Sequence, residues 1–267
     1  MKKTLVFVLF ICINIGFAQK PQQSIVKLHA TECDFIQAKT NRLAINEYVE
    51  TPMVVLENGE VKQSNTFDFT ENFSYVSNFP YQTGIAQSGD LGYTLSDWKN
   101  KTTTGTTVKI WRKTNEKWKV ILQTNVSHPL QNNHCYDHYL PVKAFSDLEL
   151  AKNKAQGAEQ LIFMRDYYYT KNAKTSPNPF EPSLSSDILL IQTNLKSING
   201  ISNSNKWLKD NFSKTEIQTA FKATASSTGD LVIVYGITQS KNKQGNFLRI
   251  WREEAKDTWK IVLEAKQ

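Results

Sequence analysis

The sequence predicts an α+β protein built from two tandem copies of one domain. Two observations support this prediction. Motifs recur at a nearly constant separation, and in each copy a helical stretch precedes a run of strands. Of the 267 residues, 40% are hydrophobic and 21% are charged, which is typical of a globular chain and excludes a disordered one. The length is sufficient for two domains of ordinary size.

The internal repeat is clearest in three pairs of segments. The motif Ser88-Gly89-Asp90-Leu91 returns as Thr228-Gly229-Asp230-Leu231, and Lys109-Ile110-Trp111-Arg112 returns as Arg249-Ile250-Trp251-Arg252, both 140 residues later. Residues 118–122 return 141 residues later, and residues 44–56 align with residues 179–191 at a separation of 135. We therefore expect residues 89–126 and 229–265 to form the same antiparallel strands, with Trp111 and Trp251 in equivalent elements.

Each copy opens with helical periodicity and continues with strands. Apolar residues at Ile25, Leu28, Phe35 and Ile36 predict an amphipathic helix. Asn58-Gly59 predicts a hairpin turn because both residues accept positive φ. The expected elements of the first copy are helices over 24–39 and 43–49 and strands over 53–56, 91–99, 106–113 and 118–126. The second copy is expected to open with a helix over 146–169.

The first eighteen residues have the pattern of a secretory signal peptide. Lys2 and Lys3 precede an apolar run over 5–17, and the small residues Gly16 and Ala18 indicate cleavage after Ala18. The run is shorter than the roughly 20 residues that a membrane span needs, an uncleaved anchor being the alternative. We expect a periplasmic or secreted protein with no membrane span in the mature chain. Its parts are then a signal peptide over 1–18, a domain over 19–128, a linker over 129–142 and a domain over 143–267.

The charge of the chain does not indicate a nucleic-acid partner. The formal net charge is +7, and removal of Lys2 and Lys3 with the signal peptide leaves +5. The lysines are scattered along the sequence, whereas a nucleic-acid interface needs a clustered basic face.

Two cysteines remain after removal of the signal peptide, which takes Cys12 with it. Cys33 lies on the first predicted helix and Cys135 in the predicted linker. An oxidising compartment permits a disulfide between them. The sequence does not fix their separation, so a disulfide and two reduced thiols both stay open.

The strand motifs resemble those of a known superfamily. A Gly-Asp-Leu-Gly-Tyr turn and strand (89–93), an Ile-Trp-Arg-Lys strand (110–113) and Trp-Lys-Val-Ile-Leu (118–122) are similar to SnoaL-like domains of the ketosteroid-isomerase-like, or nuclear-transport-factor-2-like, superfamily. The resemblance covers residues 32–128 and 187–265. It implies that each copy is a cone, in which a curved antiparallel sheet wraps around helices. The superfamily includes isomerases, cyclases, dehydratases and members that only bind, and the matched motifs transfer no catalytic residue.

The residues that recur in both copies have structural interpretations. Asp90 and Asp230 each follow a glycine at a predicted turn, where an aspartate side chain bonds nearby backbone N–H groups. Trp111 and Trp251 lie in mid-strand, next to an isoleucine that faces the other side of the sheet. Each tryptophan is expected in a core or interface, with lining of a cone pocket as the alternative.

Polar residues that do not recur are the candidates for a ligand site. Tyr93 and Asp97 share one face of the predicted strand 91–99, and Trp98 lies on the other face. The equivalent strand of the second copy carries Tyr235 but no carboxylate. The candidate pocket residues are Tyr93, Asp97, Trp98, Trp111, Tyr235 and Trp251. Asp97 as a general acid or base needs a second ionisable group within reach, and we expect neither cone to carry such a pair.

One segment has the residue types of a metal site. His134 and His138 flank Cys135 and Asp137, and two histidines four residues apart would share a face of a helix. Prolines and asparagines surround the segment, so we interpret it as linker, and we expect no metal and no cofactor. The sequence also lacks a glycine-rich phosphate loop, a Gly-x-Ser-x-Gly motif and a His-Glu-x-x-His motif.

These observations favour a binding protein over an enzyme. The expected ligand is an apolar small molecule in a cone or a protein partner on a sheet face. The alternatives are a small-molecule isomerase, lyase or cyclase acting in the first cone, and a structural two-domain spacer with both cones filled by side chains.

Overall fold

A computed structural model describes residues 22–38, 42–65, 73–130, 154–172, 178–211, 216–241 and 243–267. The first domain contains α1 (22–37), α2 (Arg42–Asn46), β1 (Val49–Glu57), β2 (Glu60–Ser64), β3 (Ser74–Tyr75), β4 (Gln82–Ile85), β5 (Leu91–Lys99), β6 (Thr104–Thr114) and β7 (Lys117–Ser127). The second contains α3 (Lys154–Asn172), a 3₁₀ turn (Glu181–Ser183), β8 (Leu184–Gln192), β9 (Leu195–Asn199), α4 (Ile201–Asn211), β10 (Ile217–Ala225), β11 (Leu231–Ser240), β12 (Lys243–Ala255) and β13 (Thr258–Lys266). The signal-peptide segment, His134, Cys135 and His138 lie outside the described residues.

Each domain is a single sheet packed on helices, which is the predicted α+β class. The first sheet has the order β2-β1-β7-β6-β5-β3, with β4 also on β5, and the second has the order β10-β11-β12-β13-β8-β9. One pairing in each sheet differs from the antiparallel arrangement predicted. β1 is parallel to β7, and β8 is parallel to β13. The chain crosses the whole sheet between these strands, so the last strand can return beside the first in the same direction.

The register of the two sheets confirms the predicted repeat. Gly92 pairs with Trp111 in the first sheet, and Val232 pairs with Trp251 in the second, again 140 residues later. A β-bulge follows Ile110 in one copy and Ile250 in the other. Because register and irregularity both repeat, Trp111 and Trp251 occupy equivalent places, as predicted.

Several turns contain residues with positive φ, one of which, at Asn58-Gly59, the sequence predicted for this reason. Asn58 has φ 51° and Gly59 has φ 80° in the hairpin between β1 and β2. Gly89 and Gly229 have φ 69° and 68° in the equivalent turns before β5 and β11. These left-handed values favour glycine, which has no Cβ to clash with the backbone.

The helices of each domain cover one face of its sheet. Ile25, Leu28 and Phe35 of α1 are buried together with Trp111 and Trp118 of the first sheet. In the second domain, a corresponding core contains Ile162 of α3 with Phe180, Trp251 and Trp259. Cys33 of α1 is also buried. Its pairing with Cys135, which lies outside the described residues, stays a prediction.

The other faces of the two sheets pack against each other. Tyr93, Leu95 and Ile110 of the first domain form one continuous core with Ile233 and Ile250 of the second. The side of each sheet that faces away from its helices is therefore covered by the other domain. Burial of this apolar surface joins the two halves into one body, because removal of apolar area from water stabilises the contact.

Polar contacts fix the relative position of the two domains. Gly59 N donates to Asn246 Oδ1 over 2.8 Å, and Asn246 Nδ2 donates to the carbonyl oxygen of Glu60 over 3.0 Å. Gln267 Nε2 donates to the carbonyl oxygen of Asn125 over 2.7 Å. Side-chain amides of the second domain thus hold the β1–β2 hairpin and the end of β7.

The helices of the described residues include one that was not predicted. α4 is an element that the sequence reasoning missed, although Ser204 and Leu208, four residues apart, form its buried side. Among the helices of the described residues, none combines the length and the apolar character needed to cross a membrane.

Candidate functional site

The interior of the first cone contains a buried ion pair. Lys109 Nζ of β6 lies 2.7 Å from Glu32 Oε1 of α1, and both side chains are 0% exposed. The hydroxyls of Ser96 and Thr94 donate to the Glu32 carboxylate over 2.7 and 3.0 Å. Trp111 Nε1 in turn donates to Thr94 Oγ1 over 2.9 Å. Three side chains of the sheet, those of Lys109, Thr94 and Ser96, therefore contact the one carboxylate that the helix supplies.

The surroundings of Lys109 keep its ammonium group charged. Burial lowers the pKa of Lys109, but the Glu32 carboxylate and its hydrogen bond more than compensate, so the pKa lies above its usual value. The rings of Phe35 and Tyr75 lie 4.6 and 4.8 Å from Lys109 Nζ and provide cation–π contacts. Burial also raises the pKa of the Tyr75 hydroxyl.

The second cone has the same design with different residues. Arg249, which is equivalent to Lys109, lies 2.9 Å from Asp166 of α3 and 2.6 Å from Glu264 of β13. Gln218 also accepts a hydrogen bond from the Arg249 guanidinium. Trp251 Nε1 donates to Asp166 Oδ2 over 3.2 Å, as its counterpart Trp111 donates to a partner of Glu32. Each cone is thus filled around an acid from the helix and a base from the central strand.

These buried ion pairs were missed at the level of the sequence, and the expectation that neither cone carries a catalytic acid–base pair stays a prediction. It was based on the strands β5 and β11, whereas the bases come from β6 and β12 and the acids mainly from the helices. A signal for the pairs was present in the sequence, because Lys109 and Arg249 occupy the same position of the repeat and share a sheet face with the core residues Trp111 and Trp251. The cone face is decided by tertiary packing, which strand alternation alone does not specify.

Tyr93 and Asp97 share a sheet face as predicted, but it is the face that meets the other domain. Tyr93 belongs to the core between the domains, and burial raises the pKa of its hydroxyl to about 12. Asp97 Oδ1 accepts a hydrogen bond from Thr106 over 2.7 Å. His128 Nε2 lies 2.8 Å from the same Thr106 hydroxyl. The structure thus links Asp97 to His128 through Thr106 outside the cone.

The four other candidates separate into two groups. Trp111 and Trp251 are fully buried in the cone cores. Trp98 and Tyr235 each line a cavity near the domain junction. Trp98 lies over Gly105, where an added Cβ would come within 2.6 Å of the indole ring, and it packs on Phe73 with ring centroids 5.4 Å apart.

The first cavity, which we call the apolar cleft, lies between the two sheets. Its volume is about 280 Å³. It is lined by Glu50, Pro52, Val54, Gln63, Ile110, Arg112, Ile121, Leu122, Lys222, Thr224, Ile233 and Tyr235. The aliphatic residues Ile110, Leu122 and Ile233 are buried at its base, whereas Arg112 and Glu50 lie partly exposed and 3.7 Å apart.

The second cavity, which we call the amide crevice, lies at the other end of the same sheets. Its volume is about 260 Å³. It is lined by Val55, Leu56, Glu57, Asn58, Trp98, Gln123, Thr124, Asn125, Ser127, Thr193, Gln244 and Gln267. Five of these side chains end in amides, and one of the twelve, Glu57, is ionisable.

No metal centre is formed by the part of the chain that the structure describes, since no three of its His, Cys, Asp and Glu side chains are grouped to hold an ion. The segment 134–138, which has metal-ligand residue types, lies outside those residues. Its role as linker or metal site therefore stays a prediction.

Comparison with known proteins finds similarity among solved structures. No protein-family model matches the chain. No curated protein matches it either. A nuclear-transport-factor-2-like protein of unknown function from Pseudomonas putida is 13% identical, with a TM-score of 0.35 over 42% of this chain and 87% of its own. A nuclear-transport-factor-2-like protein of unknown function from Shewanella baltica is 12% identical, with a TM-score of 0.27 over 38% of this chain and 94% of its own.

A third solved structure is described by its fold alone. It is a protein of unknown function with a cystatin-like fold from Nostoc punctiforme, 16% identical, with a TM-score of 0.29 over 39% of this chain and 91% of its own. Each of the three solved structures thus spans about the length of one of the two domains.

Proposed function

We propose that this chain is an exported, non-catalytic protein that binds a small apolar molecule in the apolar cleft between its two domains. The observation that carries the proposal is the contrast between the cones and the cleft. The cone interiors are occupied by fully buried side chains, including Trp111, Trp251 and the Glu32–Lys109 pair. The cleft offers aliphatic walls and open volume, as small-molecule sites generally do.

Tyr235 supplies a polar contact in the cleft. Among the described residues its hydroxyl has no hydrogen-bond partner, and burial raises its pKa, so it remains a neutral donor at ordinary pH. Lys222 and Arg112 stand among the lining residues with the aliphatic base below them. An occupant with an apolar body and one polar or acidic group fits this arrangement, because a few placed polar groups orient a ligand on apolar walls.

The internal repeat suggests how to close the cleft without disturbing the fold. Thr224 pairs with Ile233 beside the cleft, and the equivalent pair of the other copy is Gly84 with Tyr93. The ring of Tyr93 lies over Gly84, where an added Cβ would come within 2.3 Å of it. The double variant Thr224→Gly/Ile233→Tyr therefore transfers a tolerated, space-filling pair into the cleft.

Native mass spectrometry of protein purified from its own host tests the proposal. We expect the wild-type chain to retain a small molecule and the Thr224→Gly/Ile233→Tyr variant to lose it. Ile217→Tyr, which makes the same substitution at an exposed position of β10, is the matched control and is expected to retain the molecule. Purification of the wild-type chain without a bound molecule, or equal retention by the double variant, would overturn the proposal.

Export is tested on the same material. The sequence of the amino terminus predicts that the mature chain begins at Gln19. Amino-terminal sequencing of protein from the culture medium or periplasm is expected to begin there. Recovery of the chain in the cytoplasm with Met1 or Lys2 at its start would contradict export.

Catalysis in the first cone is the competing function, and the Glu32–Lys109 pair is the observation in its favour. General acid–base chemistry needs a group whose pKa lies near the working pH and whose atoms reach the substrate. Lys109 meets neither condition, since its pKa is raised and its side chain is 0% exposed. An isomerase or lyase activity that Lys109→Met abolishes while the protein stays folded would favour the enzyme.

A further inference from the structure

We propose that the amide crevice is a second binding site, for a neutral ligand that carries several hydroxyl groups, of the kind found in a monosaccharide or disaccharide. Two polar atoms of residues that line it carry the inference. Trp98 Nε1 and Gln123 Oε1 are both buried, and neither finds a hydrogen-bond partner among the described residues. Buried polar groups are nearly always satisfied, so two unsatisfied atoms at one cavity indicate a missing partner.

The two atoms differ in what they require. The indole N–H of Trp98 is a donor only, whereas Gln123 Oε1 is an acceptor. An anion would accept a hydrogen bond from the indole but would be repelled by the carbonyl oxygen. A cation would be attracted to the carbonyl oxygen but would accept no hydrogen bond from the indole. A hydroxyl group both donates and accepts, so a ligand with hydroxyl groups satisfies both residues without carrying charge.

The strand register places the two residues apart along the crevice. Trp98 lies over Gly105, which pairs with Ser127 on β7, and Gln123 precedes Ser127 by four residues on the same strand. Four residues of a strand span roughly 13 Å. Trp98 and Gln123 thus stand at different places along the crevice, where separate hydroxyl groups of one ligand can reach them.

The other residues that line the crevice also carry groups that can form hydrogen bonds with a ligand's hydroxyl groups. Asn58, Asn125, Gln244 and Gln267 supply amides, and Ser127, Thr124 and Thr193 supply hydroxyls. Three of these side chains are held in place by the domain contact, as Gln244 Nε2 donates to Gly59 O over 3.1 Å and Gln267 Nε2 donates to Thr124 Oγ1 over 3.1 Å. Positioned amides around one aromatic ring select a polar, uncharged ligand, and a volume of about 260 Å³ suits one below the size of most drug-like molecules.

Saturation-transfer NMR with a panel of neutral hexoses and their disaccharides tests the site. The panel contains glucose, galactose, mannose, maltose and cellobiose, with glucuronic acid as the charged comparison. We expect at least one neutral sugar to bind the wild-type chain and glucuronic acid to bind more weakly, because Glu57 is the ionisable lining residue. No transfer from any neutral sugar at millimolar concentration would overturn the inference and leave the crevice a water-filled gap.

Two conservative variants locate the binding. Trp98→Phe removes the N–H and keeps a ring, and Gln123→Met removes the carbonyl oxygen at similar length. We expect each to weaken sugar binding at least tenfold, because a site built for hydroxyl groups loses affinity when a partner is removed. Gln239→Met, at an exposed position of β11, is the matched control and is expected to bind as the wild type does.

A stability measurement separates a ligand site from a structural role. Because Gln123 Oε1 has no described partner, Gln123→Met is expected to keep or raise the thermal midpoint of the ligand-free protein. Trp98→Phe also loses packing on Gly105 and Phe73 and is expected to lower it. A lowered midpoint of Gln123→Met would assign Gln123 a structural role and contradict the inference. The Thr224→Gly/Ile233→Tyr variant is expected to bind sugar normally, so failure of this site and failure of the apolar cleft are distinguishable.

Discussion

Asp90 and Asp230 each hold a turn of the domain to which they do not belong. Asp230 Oδ2 accepts a hydrogen bond from Gln87 N over 2.8 Å, and Asp90 Oδ2 accepts one from Ser227 N over 3.0 Å. The other oxygen of each carboxylate accepts from hydroxyls of its own turn, such as Ser226 Oγ over 2.8 Å. The predicted turn role is therefore present, and the same carboxylates also join the two domains at a pseudo-twofold contact.

This exchange predicts a coupling between the two aspartates. Asp90→Ala and Asp230→Ala each remove charge-assisted hydrogen bonds, and we expect each to lower the free energy of unfolding by about 1–3 kcal/mol. Urea denaturation of both single variants and the double variant measures the coupling. Strict additivity of the two losses would mean that the turns do not support each other.

We expect the stability of the first domain to depend on Glu32 and Lys109 together rather than on either charge alone. Lys109→Met or Glu32→Leu alone leaves one buried charge without its partner, and we expect a loss of about 3–5 kcal/mol in unfolding free energy. The double variant is expected to recover most of this loss, because two apolar groups replace both charges. Guanidinium unfolding of the three proteins is the measurement. A double variant as unstable as the sum of the singles would contradict this account.

The stability of the protein is expected to fall in alkaline solution in part through Tyr93. Its pKa is raised to about 12 by burial, so the folded chain keeps a proton that the unfolded chain loses near its ordinary value of 10.0. The stabilisation is intact below pH 10 and is lost as the pH rises towards 12, by up to about 3 kcal/mol. Tyr93→Phe is expected to remove this part of the loss. Tyr168→Phe, at an exposed position, should leave the unfolding profile between pH 9 and 12 as in the wild type.

Two glycines are expected to respond to the same substitution in opposite directions. A Cβ on Gly105 would lie 2.2 Å from Val126 O, whereas a Cβ on Gly157 of α3 meets nothing within 4 Å. Gly105→Ala must displace backbone and is expected to cost about 1–3 kcal/mol of stability. Gly157→Ala is expected to stabilise by about 0.5–1 kcal/mol, because alanine loses less conformational freedom in a helix. Thermal unfolding of both variants decides the matter.

Much of the fold was predictable because its signals are local or repeated. The bounds of β5 follow from turn residues on both sides, and those of β6 and β7 were predicted to within two residues. The parallel pairing of β1 with β7 was not, because strand direction depends on where the chain re-enters the sheet. The helix α4 was missed although its buried side has helical spacing.

The candidate site was harder to predict for a related reason. Alternation along β5 placed Tyr93 and Asp97 on one face and Trp98 on the other, and this is correct. It does not say which face meets helices and which meets the second domain. Gln123 and Tyr235 gain their significance from cavities that exist only after the two sheets have packed together.

The two packed sheets belong to one chain, so their equivalent positions can carry different residues, which is impossible in a symmetric dimer. In a dimer of identical subunits, each cavity beside the twofold axis has an identical mate, and a substitution changes both at once. Here Ile233 and Thr224 leave the apolar cleft open, while at the equivalent place Tyr93 covers Gly84, and the charge of Arg252 acts on its hydroxyl. Duplication within a single polypeptide thus allows one half-site to stay open, as the proposed ligand site, while its twin is closed by Tyr93.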